Sequence, residues 1–230
     1  MRATITIPET LNEISLVTYQ RWLECKDHFT GNLQDQKLVS LFCAIPLVDT
    51  LNIKQKDINS TSDHLKHLLE STADLQQTFT IKGKHKDITF GFIPNLDEIS
   101  GGEYADLDTY LGSWENMHKA MAVMYRPVMP ILKHKEKYLI EEYEGSDKYS
   151  ELMKFAPLNV VFGALLFFWN LSKDLSRITQ DSLNKEILME ATQLLSSLRV
   201  NGDGMPVSTL SQEEILNELK ALQNTPLENV

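Results

Sequence analysis

The chain has 230 residues, room for one generous domain or two small ones with a buried core. A composition of 42% hydrophobic and 23% charged residues excludes disorder along the whole chain. With 22 Lys and Arg against 32 Asp and Glu, the net charge is −10. That balance disfavours sequence-independent binding to nucleic acid, which draws on basic side chains to release phosphate counterions.

In chain order, the first expected element is a short strand over Ala3 to Ile7 (ATITI), β-branched, alternating and ended by Pro8. The first ten residues hold no apolar core of a secretory signal. Ser15 is placed as the N-cap of a helix from Leu16 to Lys26, with Leu16, Tyr19 and Leu23 on one face and Trp22 beside them. A second helix is expected over Asp35 to Ile45, stopping before Pro46. Leu47 to Asp57 shows no clear pattern. Ser62 is read as the cap of a helix from Asp63 to Leu75, with Leu65, Leu68, Leu69 and Leu75 inward.

The period then changes. Thr78 to Lys82 and Asp87 to Ile93 alternate around a turn supplied by Gly83, the best hairpin signal in the chain. The basic run Lys82 to Lys86 within it reads as a solvated turn. After Ser100 and two glycines, EYADLDTYL reads as a short helix with Tyr104, Leu107 and Leu111 on one side. Trp114 to Tyr125 is a stronger helix, ended by Arg126-Pro127. Tyr138 to Tyr143 reads as a strand broken by Gly145-Ser146. Further helices are expected at Asp147 to Phe155, Leu158 to Arg177 and Ser182 to Arg199, with Asn201-Gly-Asp-Gly as a stop. Val160 to Leu171 is apolar all round but shorter than a membrane span of about 20 residues, so it reads as a central core helix. Ser211-Gln-Glu-Glu214 is a capping box ahead of an apolar stripe of Ile215, Leu219 and Leu222.

The expected fold is therefore α+β and mainly α. It is a helical core with a small antiparallel sheet made from the N-terminal strand and the hairpin 78–93. Residues 1–200 form one domain, 201–210 a linker, and 211–224 a tethered amphipathic helix.

One phrase occurs twice: IPETLNEISLVTY from Ile7 to Tyr19, and IPNLDEISGGEY from Ile93 to Tyr104. Each reads Ile-Pro, a polar step, Leu, Glu-Ile-Ser and then Tyr. Proline ends a strand because it has no N–H to give, acidic residues suit the approach to a helix N-terminus, and serine caps the helix. The phrase reads as a strand-to-helix corner built twice. The likeness covers about a dozen residues per copy, too few to prove a duplicated module.

The chain offers little for catalysis. The acidic cluster Asp97, Glu98, Glu103, Asp106 and Asp108 lacks the spacing of a calcium loop, and Gly101-Gly102 lacks the lysine of a phosphate loop. His64 and His67 start a zinc spacing that nothing completes, and His118 stands alone on its helix. Cys25 and Cys43 fit free thiols of a reducing compartment. No catalytic residue, cofactor or metal site is expected, and no membrane contact. The stripe Trp114, Met117, Met121 and Met124 reads first as core and second as a partner-facing ridge, since methionine suits contacts that must adapt. Ile215, Leu219 and Leu222 are the other candidates for facing a partner.

The stretch FIPNLDEISGGEYADLDTYL followed by MHKAMAVMYRPV, with the N-terminal IPETLNEISLVTYQRW, resembles proteins encoded among the virion and tail genes of large tailed bacteriophages, the T4-like and crAss-like groups. The resemblance spans about a quarter of the chain and carries over no catalytic residue. It implies a non-enzymatic structural component of the virion: a ring, connector, tail or internally packaged protein. Such a protein would contact other phage structural proteins, in a symmetric ring as one form, and reside in the host cytoplasm during assembly. The alternative is a tail-assembly chaperone absent from the mature particle. A host-directed binding protein and a small enzyme stand behind these.

Overall fold

The computed structural model describes residues 5–83, 86–129 and 138–181. The fold is mainly helical with a small antiparallel sheet, the class expected from the sequence. The contacts among the described residues gather into two compact units. One takes in the described residues of 1–71 and 154–161, the other those of 72–153 and 162–181. The linker 201–210 and the helix 211–224 lie outside the described residues.

The first unit is built from α1 (Leu16–Cys25), α2 (Asn32–Phe42), the single turn α3 (Leu47–Thr50) and α4 (Gln55–Leu69). Leu16, Tyr19 and Trp22 of α1 are buried, as the helical spacing requires. α2 starts three residues ahead of Asp35, where Gly31 takes a positive φ of 57° that glycine adopts without a Cβ penalty. It ends at Cys43, and Ala44 turns the chain at φ 52°.

The expected cap at Ser62 is wrong. α4 begins at Gln55, and Ser62 sits fully buried in mid-helix. Its hydroxyl is taken by tertiary structure, donating to Asp35 Oδ1 on α2 at 2.6 Å. Lys66 Nζ reaches the same oxygen at 2.7 Å. Burial pushes the Asp35 pKa up, but the Lys66 and Ser62 bonds outweigh it and hold the carboxyl below its ordinary value. A folded pKa below the unfolded one adds stability above the unfolded pKa, near 4, and loses it as pH falls through the folded value. Asp35→Asn should therefore narrow the gap between the urea midpoints at pH 7 and pH 3. An unchanged gap would mean that the bonds do not form.

The second unit holds the sheet, in the order β1 (Thr78–Ile81), β2 (Ile88–Phe92), β3 (Tyr125–Met129), β4 (Leu139–Ile140), antiparallel throughout. The hairpin is where the sequence places it. Among the described residues the expected N-terminal strand is not in the sheet: residues 5–9 carry no strand, and β3 takes the place beside β2. Of β3, only Tyr125 falls within an expected helix, as its last residue; no strand is expected over 126–129. That helix, α6 (Met117–Met124), passes directly into strand because Tyr125 is already extended (φ −124°, ψ 124°) and Pro127 denies Arg126 the helical region. A proline between two strands is tolerated here by register. Pro127 pairs with Phe90 on one side, and its carbonyl accepts from Glu141 N–H on the other, past the end of the short β4.

Phe79 and Ile81 point inward from β1 while Thr78 and Thr80 face out. Phe79 lies 5.1 Å from Tyr125 between ring centroids, and Phe92 lies 5.2 Å from Tyr125 and 5.5 Å from Phe167. These edge contacts join the sheet to α8 (Leu158–Asp181), whose residues from Phe162 to Phe167 are buried. The remaining helices are α5 (Gly101–Tyr110) and α7 (Asp147–Met153).

Candidate functional site

The repeated phrase folds the same way twice. From Thr10 and from Asn95 the chain makes one 3-10 turn, Leu11–Glu13 and Leu96–Glu98. Two extended residues follow: Ile14 and Ser15 (φ, ψ −103°, 126° and −86°, 152°), and Ile99 and Ser100 (−61°, 129° and −71°, 157°). α1 and α5 then begin. Among the described residues the strand expected ahead of the phrase is present only in the second copy, where β2 leads into Ile93-Pro94.

The surroundings of the two corners differ. Ile14, Leu16 and Tyr19 are buried in the first unit. Their counterparts are the half-buried Ile99, the exposed Gly101 and Tyr104, which is 66% exposed. The second corner borders a cleft of about 310 Å³ in the second unit. Pro94, Glu98, Ile99 and Ser100 line it from the corner, Glu103 from α5, Arg126 from β3, and Ile140 to Tyr143 from β4 and the residues after it.

Glu103 organises the cleft floor. One carboxylate oxygen accepts from Ser100 N–H at 2.7 Å while Ser100 Oγ accepts from Glu103 N–H at 3.2 Å, a closed capping box. The other oxygen meets Arg126 Nη1 at 2.6 Å, with both side chains about nine-tenths buried. The guanidinium lies over the Tyr143 ring, 5.6 Å from its centroid. Arg126 Nε is buried and has no hydrogen-bond partner among the described residues. Tyr143 donates to Asp106, and burial followed by that bond raises its pKa far above the ordinary tyrosine range. At the rim, Lys148 bonds both Glu141 and Glu144, and Tyr149 donates to Glu141. Lys148 and Tyr149 together hold the Glu141 carboxyl below its usual value.

Of the residues singled out from the sequence, Glu98 and Glu103 share this cleft, and His118 does not line it. Met117, Met121 and Met124 are fully buried and Trp114 is half-buried with its ring 6.0 Å from Phe162, so this stripe is core and not a partner-facing ridge. Ile215, Leu219 and Leu222 lie outside the described residues. His64 bonds the Pro8 carbonyl at 2.9 Å, and no group of three potential metal ligands forms among the described residues. Cys43 is buried and Cys25 half-buried, both free thiols with pKa values raised by burial. No helix among the described residues is long and apolar enough to cross a membrane. Sequence reasoning missed Arg126, Ile140 and Tyr143, which reach the cleft only through the β3–β4 pairing. The signal available was one arginine inside the apolar run MAVMYRPV.

No family model matches the chain, nor does any curated protein or solved structure.

Proposed function

We propose that the chain is a non-enzymatic structural component of a tailed-phage virion, acting through contacts with other phage structural proteins. The observation that carries this reading is the second corner. The same backbone device that is buried in the first unit is left open in the second, beside a charged cleft and an exposed Tyr104. An exposed aromatic next to a partly apolar cleft is the composition of a protein-binding patch. The resemblance to phage virion and tail-gene proteins falls on this same stretch, Phe92 to Val128. On this reading the protein is made in the host cytoplasm and ends in the particle.

Quantitative peptide mass spectrometry on purified, genome-filled particles, beside the infected-cell lysate, tests the reading. Stoichiometric peptides in the particle are the expected result, and their copy number reports ring symmetry. Abundant peptides in the lysate with none in the particle would replace the virion role with that of a tail-assembly chaperone.

A further inference from the structure

β1 stands at one end of the sheet, and its outer edge is open. In an antiparallel ladder successive residues turn their N–H and C=O groups to opposite neighbours. Phe92 N–H donates to Gln77 O at 2.8 Å, which makes Gln77 and Phe92 a bonded pair and, in the same register, turns the groups of Phe79 and Ile81 toward β2. The N–H and C=O groups of Thr78 and Thr80 therefore project from the free edge. Both residues are exposed, and none of the described residues bonds these groups. Thr78–Ile81 carries no charge, proline or bulge, the devices that usually blunt an edge.

The two faces of β1 define the strand that fits beside it. On one face the apolar row of Phe90 and Phe92 continues into Phe79 and Ile81. On the other stand the exposed Thr78, Thr80 and Thr89, with Thr80 Oγ1 and Thr89 Oγ1 2.9 Å apart. A strand that extends both rows alternates apolar residues with threonine. Residues 3–7, ATITI, have that pattern: Ala3, Ile5 and Ile7 fall on one face, Thr4 and Thr6 on the other. At about 3.3 Å per residue their length also matches a β1 of four residues. In their own chain Ile5 to Ile7 carry no strand and no backbone bond among the described residues. Ile7 is 38% exposed, directly ahead of a buried Pro8. Ala3 and Thr4 lie outside the described residues.

We propose that residues 3–7 of one copy of the chain add as a fifth, antiparallel strand to the β1 edge of a second copy. Ile5 and Ile7 extend the row of Phe79 and Ile81, and Thr6 extends the row of threonines. This is strand addition on an open sheet edge, with main-chain bonds holding the strand and the alternation selecting it. Each copy gives one strand and accepts one, so the contact is head-to-tail. Such a contact closes into a ring or runs on as a filament.

The test is the mass of the full chain by sedimentation between about 1 and 100 μM, for wild type and two variants. Thr78→Pro removes an N–H that faces the edge and none that faces β2, at the first position of an edge strand, where proline is tolerated. Ile5→Lys places a charge in the apolar row of the added strand. Wild type should associate as concentration rises, and each variant, folded by circular dichroism, should associate about ten-fold more weakly. Mixing the two variants is the decisive step. Thr78→Pro still offers an intact strand and Ile5→Lys an intact β1, so together they should form a 1:1 dimer and stop there. A blocked peptide of residues 2–8, Arg-Ala-Thr-Ile-Thr-Ile-Pro, gives a test that needs no variant. In excess it should cover β1 and return the wild-type chain to a monomer.

A wild-type chain that stays monomeric across the range would overturn the proposal. So would a folded Ile5→Lys variant that associates as wild type does, which would point to β1 pairing with β1. Folded variants that ignore each other on mixing, or an oligomer that the peptide leaves intact, would overturn it too. The inference stands apart from the virion reading: peptides in the particle would uphold that reading even for a chain that is monomeric in solution.

Discussion

Glu103→Ala is expected to destabilise the second unit by about 3–5 kcal/mol, the cost of leaving a buried charge without its partner. The Arg126 guanidinium has two neighbours that compensate its burial, the Glu103 carboxylate at 2.6 Å and the face of Tyr143. Its Nε already lacks an acceptor. Removing the carboxylate leaves a cation in a site where side-chain exposure is 10%, and also frees Ser100 N–H at the head of α5. The contrast is the Lys66–Asp35 pair, whose side chains are 47% and 20% exposed. Breaking a pair so open to solvent is expected to cost about 0–1 kcal/mol. Replacing both partners, as Glu103→Leu with Arg126→Met, should recover most of the loss, because an apolar pair of similar volume carries no desolvation penalty. Urea unfolding of Glu103→Leu, Arg126→Met and the double variant gives the coupling energy directly. A loss below about 1 kcal/mol for Glu103→Ala would show that water reaches the pair.

Much of this site lay beyond the reach of periodicity. The hairpin was legible because Thr78 to Ile81 and Ile88 to Phe92 alternate around a glycine turn, a local pattern. α1 and the central helix were legible because their apolar residues recur at helical spacing within one segment. The corner was legible because its chemistry, a proline, a turn and a serine at the N-cap, is written in consecutive residues, although only Ser100 caps with its side chain while Ser15 Oγ pairs with Thr18 Oγ1. Ser62 misled because a serine before an apolar run fits a cap as well as it fits a mid-helix donor. What decided between them was Asp35, 27 positions away. Tyr125 misled because the helical spacing of Met117, Met121 and Met124 runs into it, while the pairing with Phe92 that makes it a strand is long-range. The cleft failed for the same reason. Glu98 and Glu103 announce themselves in the acidic run, but Arg126 and Tyr143 join them only once β3 lies between β2 and β4. The similar phrase in two settings makes the same point about function. Sequence specified the corner, and the rest of the fold decided whether it would be covered.

Gly163→Ala should destabilise the protein by about 1–3 kcal/mol, although alanine in a helix interior normally stabilises relative to glycine by about 0.5–1 kcal/mol. The reversal follows from what lies against α8. A Cβ at Gly163 would stand 2.3 Å from the Asp74 carbonyl oxygen, 2.7 Å from its carbon and 3.1 Å from Leu75 N. All three are backbone atoms, which cannot rotate away as a side-chain tip does. Gly91→Ala is the control, because its Cβ would meet only the Tyr138 ring at 2.6 Å and Ile140 Cγ2 at 3.0 Å, groups with torsional freedom. Its loss should be the smaller of the two. The strand lead-in from Asp74 is also what the sheet hangs on: Tyr125 Oη–H donates to Gln76 O at 2.7 Å, and Phe92 N–H donates to Gln77 O at 2.8 Å. Displacing Asp74 should therefore loosen the end of β2, and with it Ile93 and Pro94 at the wall of the cleft. Hydrogen exchange at the Phe92 amide is the sensitive readout. Faster exchange in Gly163→Ala, with Gly91→Ala closer to wild type in the urea midpoint, is the expected pair of results. A Gly163→Ala variant as stable as wild type would mean that the approach of Asp74 to α8 is not held in solution, and the wall of the cleft would lose its support.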